Sequence, residues 1–190
     1  MKSRNKWNGN SLGNNMPKNK QKQSEYEPLR TGWIKLDLQE AWREFISRYD
    51  YDLFVTLTFR DEIKPWIAKK RFEKWLESLN LELFGEEYKQ EGLGIRYALS
   101  IEYQKRGILH FHALLGAKGL KEINREYMAK LWKTNGQRKD KAGPLLDRIV
   151  NGHAVIKPYD PAGGAIRYMT KHIRKGVEPD IFIPRIEREG

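Results

Sequence analysis

Polar and apolar positions alternate with period two in three stretches of this chain, each flanked by segments of helical period. In "YDLFVTLTF" (51–59), Val55, Leu57 and Phe59 fall on one face and Thr56 and Thr58 on the other. The β-branched and aromatic content predicts a strand over 52–59. "GIRYALSIEYQ" (94–104) alternates again, with Ile95, Tyr97, Leu99, Ile101 and Tyr103 opposed to Arg96, Ala98, Ser100, Glu102 and Gln104. "GILHFHALL" (107–115) sets Ile108, His110, His112 and Leu114 against Leu109, Phe111, Ala113 and Leu115, so both imidazoles point the same way.

Between the first two strands, Pro65 occupies a first-turn position, and Phe72, Trp75, Leu76, Leu79 and Leu83 follow at helical spacing up to Gly85. A helix over 65–84 follows, its aromatics forming one buried stripe. Residues 120–134 have the same texture, with Ile123, Tyr127, Leu131 and Trp132 expected inward. Before the first strand, Trp33, Ile34, Leu36 and Leu38 read as a short extended piece, and Trp42, Phe45 and Ile46 as a helix. Asn151-Gly152 between apolar runs signals a hairpin turn and a strand over 153–158. Asp160-Pro161 then resembles an N-cap followed by proline at N1, opening a helix over 161–175. The resulting βαββαβα order implies an α+β fold, an antiparallel central sheet with helices packed on one side, in a ferredoxin-like or RRM-like split β-α-β arrangement.

Charge narrows the partners. With 36 Lys and Arg against 25 Asp and Glu the 190-residue chain carries a formal +11, which attracts polyanions, nucleic acid foremost. No run approaches the roughly 18 apolar residues of a spanning helix, and no secretory signal opens the chain, so no membrane role is expected. The absence of cysteine excludes a disulfide framework, cysteine-bound zinc and thiol catalysis. Any metal must therefore sit on His, Asp or Glu. Residues 1–30 read as a basic arm, since the first 24 hold six Lys or Arg and no acid. Residues 31–180 read as one domain and 181–190 as a tail.

The candidate chemistry begins at the turn between the second and third strands. If Lys105-Arg106-Gly107 is a three-residue loop with Gly107 in the left-handed region, Glu102 stands opposite His110, about 5 Å away. One carboxylate and two imidazoles then share a patch that suits a divalent metal with open coordination positions. A one-residue slip of register would send Glu102 to the other face. In "YMTKHIRK" (168–175), Tyr168, Lys171, His172 and Lys175 share a helical face apart from Ala162, Ile166, Met169 and Ile173. That face is either solvated or presents Tyr168 as a nucleophile with Lys171 beside it.

These motifs together resemble the HUH endonuclease superfamily, and specifically its rolling-circle replication initiators. "FVTLTF" (54–59) resembles the first family motif, "HFH" (110–112) preceded by "IEYQKRGIL" the second, with Glu102 at the upstream acid, and Tyr168 with Lys171 the Tyr-x-x-Lys third. The resemblance spans about Tyr51 to Lys175. It implies metal ligation by Glu102, His110 and His112, with Mn²⁺ or Mg²⁺ as the divalent metal, and attack by Tyr168 on single-stranded DNA at an origin hairpin, assisted by Lys171. The products would be a 5′-phosphotyrosine adduct and a free 3′-hydroxyl that primes a host polymerase. No P-loop occurs, so a host helicase is implied. His172 stands where some initiators carry a second tyrosine, so the chain resembles a single-tyrosine enzyme. His172 and Lys175 are accessory candidates, and Thr56, Thr58, Lys105, Arg106 and Arg167 are candidate DNA contacts. Such a protein is expected in the cytoplasm of a prokaryotic host, encoded by a plasmid or virus. A transposase of the same superfamily and a non-catalytic single-strand-binding module are the competing expectations.

Overall fold

The computed structural model describes residues 31–104, 106–135, 151–171 and 179–185, with side chains from residue 38 onward. The elements are α1 (Thr31–Ser47), β1 (Leu53–Phe59), α2 (Pro65–Phe84), β2 (Arg96–Tyr103), β3 (Leu109–Gly116), α3 (Arg125–Asn135), β4 (Asn151–Pro158), α4 (Ala165–Thr170) and β5 (Asp180–Phe182). The five strands form one sheet in the order β4-β1-β3-β2-β5, and every pairing is antiparallel. The first four strands thus carry the expected split β-α-β topology.

Strand alternation decides which helix lies where. Val55, Leu57, Phe59, Leu99, Leu109, Phe111 and Ala113 form one side of the main core, closed by Phe72, Trp75, Leu76 and Leu79 of α2 and Met128 and Trp132 of α3. The expectation of helices on one side describes α2 and α3. To it the structure adds a smaller cluster on the opposite face, where Ile46 of α1 and Met169 of α4 meet Ala98 and Leu114.

The two indole N–H groups of the main core are satisfied by backbone. Trp75 Nε1 donates to Met128 O at 3.0 Å, and Trp132 Nε1 donates to Thr58 O at 3.2 Å. Buried polar groups must find such partners, and here they also lock α3 to β1.

Five sequence expectations change. Residues 31–38 are helical from Thr31 onward, because a short alternation says little against the longer stripe that follows it. In α3, Asn124 Oδ1 caps the helix by accepting from Glu126 N at 2.8 Å. Starting there rotates Met128 inward and leaves Tyr127 41% exposed. Asn151-Gly152 is not a turn but the start of β4, with Asn151 opposite Phe59 across a register irregularity. Thr58 Oγ1 fills that irregularity, accepting from His153 N at 2.7 Å and donating to His153 O at 3.0 Å. A Cβ on Gly152 would come within 2.5 Å of the Thr58 hydroxyl, so the glycine serves close approach.

The expected helix over 161–175 is divided. Asp160 does cap, accepting from Ala162 N at 2.9 Å, but Pro161–Gly163 form only a 3₁₀ turn. Gly164, at φ 72°, breaks the chain direction before α4 begins. Finally, residues 181–190 are not all tail: Ile181 and Phe182 belong to β5, which pairs with β2. Phe182 stacks on Tyr97 at 5.8 Å, and Lys69 bridges to Asp180 at 2.7 Å. A three-residue strand is too short to reveal itself by periodicity.

Candidate metal and tyrosine site

The hairpin of β2 and β3 forms as its glycine requires. Gly107 takes φ 77°, Gly107 N donates to Gln104 O at 2.8 Å, and Gln104 N donates to Ile108 O at 2.8 Å. Glu102 therefore pairs with His110, and Ser100 with His112. On the other side of β3, Thr56 pairs with His112 and Thr58 with His110. The site-bearing face of β3 is thus flanked by Glu102 on one neighbour and the threonines on the other.

Glu102, His110 and His112 offer ligand atoms that all lie within 4.8 Å of one another, and this cluster could hold a metal ion. Glu102 Oε2 lies 3.4 Å from His110 Nε2 and 3.3 Å from His112 Nε2. Thr56 Oγ1 sits 3.1 Å from His112 Nδ1. That contact turns Nε2 toward the cluster, the outer hydrogen bond that metal-binding histidines need. Phe54 lies parallel to the His112 ring at 5.9 Å and limits its tilt.

Burial pushes the His112 imidazolium down to about 4, with His110 adding to the shift and Glu102 opposing it. At neutral pH the ring is therefore neutral, with its Nε2 lone pair free to bind a cation. Donor types, convergence and protonation state all fit a divalent metal.

Tyr168 reaches the same cluster from α4. Its hydroxyl donates to Glu102 Oε2 at 2.6 Å and lies 3.4 Å from His112 Nε2. Burial, and then the bond to Glu102, raise the phenol above its ordinary range. Lys171 Nζ donates to Glu102 Oε1 at 3.1 Å and lies 3.5 Å from the centroid of the Tyr168 ring. Burial opposes its charge, but Tyr168 and Glu102 outweigh burial and hold the ammonium above its usual value.

α4 has only six residues, too few to be stable alone. Its position comes from neighbours. Ser100 Oγ donates to Met169 O at 3.1 Å, Gln39 Nε2 of α1 donates to Thr170 O at 3.0 Å, and Arg43 Nε donates to Thr170 Oγ1 at 3.2 Å. Gln39 is buried to 4% exposure.

The five residues expected at the site's centre, Glu102, His110, His112, Tyr168 and Lys171, are brought together. Thr56 supports His112, whereas Thr58 spends its hydroxyl on β4. Arg106 is exposed and bonded to Gln104 Oε1 at 3.3 Å, and Arg167 is exposed on α4. Lys105, His172, Lys175 and the basic arm lie outside the described residues. Sequence reasoning missed Gln39, Arg43, Ser100 and Thr170 as supports of α4, and Phe54 beside His112. One signal was available: Gln39 falls at helical spacing with Trp42, Arg43 and Ile46, a polar residue on an apolar stripe.

An antiparallel α+β sheet that gathers two histidines, a glutamate and a tyrosine on one face defines a class of protein built for phosphate chemistry at a metal. A family model for replication-associated proteins of the ORF2 type matches residues 52–177, more than half of the chain. The chain belongs to this replication-associated family, in agreement with its resemblance to the HUH rolling-circle initiators. Among curated proteins nothing matches significantly, and the same holds among solved structures. The family match begins after α1, so Gln39 and Arg43 lie outside it. Among the described residues no helix is long and apolar enough to cross a membrane.

Proposed function

We propose that this protein nicks and rejoins single-stranded DNA to start rolling-circle replication, with Tyr168 as nucleophile. One observation carries the reading: the Tyr168 hydroxyl sits at the Glu-His-His cluster, 2.6 Å from Glu102 Oε2. A non-catalytic binding module has no use for that convergence. In the reaction, the Tyr168 oxygen forms a bond to phosphorus and the P–O3′ bond breaks. The phenolic proton leaves on the side where Glu102 accepts it, and the departing 3′-oxygen takes up a proton. The 5′-phosphotyrosine preserves the bond energy, so rejoining needs no ATP.

Glu102, His110 and His112 hold a divalent metal, Mn²⁺ or Mg²⁺, which when bound supplies charge stabilisation for the phosphoryl oxygens. Lys171 steadies Glu102 through Oε1 and lays positive charge along the tyrosine ring. The free 3′-hydroxyl serves a host polymerase, and strand separation falls to a host helicase, in the cytoplasm of a host that carries a plasmid or virus. The single-strand substrate is an origin hairpin, contacted by Lys105, Arg106, Arg167 and the basic arm. His172 and Lys175 are accessory candidates.

The test is an adduct that survives denaturing electrophoresis after incubation with labelled single-stranded origin DNA and Mn²⁺. It is expected in the wild type and lost on chelation. Persistent DNA binding with no adduct under any candidate metal would return the protein to the binding-module class.

Two further results are expected. Affinity for single strands should fall steeply with salt: about four phosphate contacts give a log–log slope near −2.8, roughly fifty-fold between 50 and 200 mM. A flat titration would remove the electrostatic contribution. Gln39→Ala, which frees the α4 carbonyl at Thr170, should slow adduct formation roughly ten- to a hundredfold with little change in DNA affinity, because small misplacements of a reacting group are costly. Equal rates would show that α1 does not position the tyrosine.

A further inference from the structure

Beside the cluster, on the side toward β4, lies a cavity of about 330 Å³ lined by Phe54, His112, Lys157, Pro158, Asp160 and Tyr168, with Gly163 and Ala165 closing it under α4. Neither the metal cluster nor the attacking hydroxyl uses this space. Its volume falls at the small end of ligand-binding cavities. Two of its walls, His112 and Tyr168, belong to the site itself, so whatever fills it lies next to the phosphate that Tyr168 attacks.

We infer that this cavity receives the unpaired nucleobase of a nucleotide flanking the scissile phosphate, with Phe54 as its stacking surface. The inference rests on the nickase reading and adds to it where one base of the substrate goes. The chemistry of the walls selects a base over the other parts of a DNA strand. Phe54 offers an aromatic face, half-buried and held parallel to His112 with an interplanar angle of 7°, and aromatic faces bind bases by stacking without regard to sequence. The Asp160 carboxylate at the rim repels a phosphate but tolerates a neutral base. Lys157, opposite Phe54 in the β1–β4 register, is exposed and supplies the cation that the outward-lying phosphodiester needs. Gly163 and Ala165 keep the roof low, as a flat occupant requires. A base seated here is splayed out of the strand, and splaying turns the backbone so that the adjacent phosphate faces Tyr168.

The experiment is a two-by-two comparison. Wild type and Phe54→Leu are each given origin strands in which the nucleotide 5′ or 3′ to the nick is intact or abasic, and the apparent KM for adduct formation is measured. The expected result is that at one of the two positions the abasic strand raises KM at least tenfold in the wild type, and that this ratio falls to near one in Phe54→Leu. Because Phe54 also touches His112, the absolute rate of the variant will drop. The ratio does not respond to such a general defect, as the cycle cancels it. A ratio below about two at both positions in the wild type, or a ratio that survives in Phe54→Leu, would overturn the pocket and leave the nickase intact. If no strand yields an adduct at all, the nickase reading fails instead. The same four combinations are then read as equilibrium dissociation constants, where loss of the abasic penalty in Phe54→Leu still supports the pocket and an unchanged penalty sinks it.

Discussion

Tyr168→Phe is expected to abolish the covalent protein–DNA adduct, by a factor of about 10⁴ or more, while single-strand affinity stays within about a factor of two. The substitution removes one oxygen and keeps the ring that packs edge-on against His112 at 4.8 Å and under Lys171. The lost hydrogen bond to Glu102 is partly exposed, and such bonds contribute about 1 kcal/mol, so the fold should survive with a thermal midpoint close to that of the wild type. Removing a nucleophile that forms a covalent intermediate leaves only the residual effects of binding and electrostatics. The loss should therefore fall on the chemical step alone. The raised pKa of the phenol agrees with this view, since the hydroxyl is protonated at rest and must be activated within the site. An adduct of normal yield in Tyr168→Phe would mean that another residue attacks, and the assignment of α4 as the nucleophile helix would fall.

The second large effect is on stability. Trp132→Ala should destabilise the domain by about 3 to 5 kcal/mol, a substantial part of the roughly 5 to 15 kcal/mol that holds an ordinary domain folded. Trp132 is fully buried and packs edge-on against Phe59 at 5.4 Å and Trp75 at 6.1 Å. Truncation also leaves Thr58 O without its indole donor, beside the β1–β4 irregularity that Thr58 fills. Urea denaturation gives the comparison directly, with Tyr127→Ala on the exposed side of α3 as control, expected within about 0.5 kcal/mol of wild type. Equal midpoints for the two variants would contradict the inward placement of Trp132.

The metal ligands were legible because local rules govern them. Period-two alternation puts His110 and His112 on one face, and one left-handed glycine, Gly107, sets the register that brings Glu102 opposite His110. The same kind of local rule misled at Asn151-Gly152, where the dipeptide has a strong turn preference but the close approach of Thr58 uses the glycine inside a strand. Family resemblance, carried by Glu102, the histidine pair and Tyr168-x-x-Lys171, pointed to the replication class, and the family match over 52–177 agrees with it.

By itself, then, the sequence determined the split β-α-β order, the identity of the main core and the convergence of one carboxylate with two imidazoles, all consequences of periodicity and short-range turn chemistry. The tertiary structure alone decided how the tyrosine meets them. Tyr168 contacts Glu102 across 66 positions of chain, and α4 is held there by Gln39, bonded to Thr170 across 131 positions. A six-residue helix after a glycine break has no preferred place of its own. Its location follows from side-chain packing and hydrogen bonds contributed by α1 and β2, which no local pattern in residues 161–175 encodes.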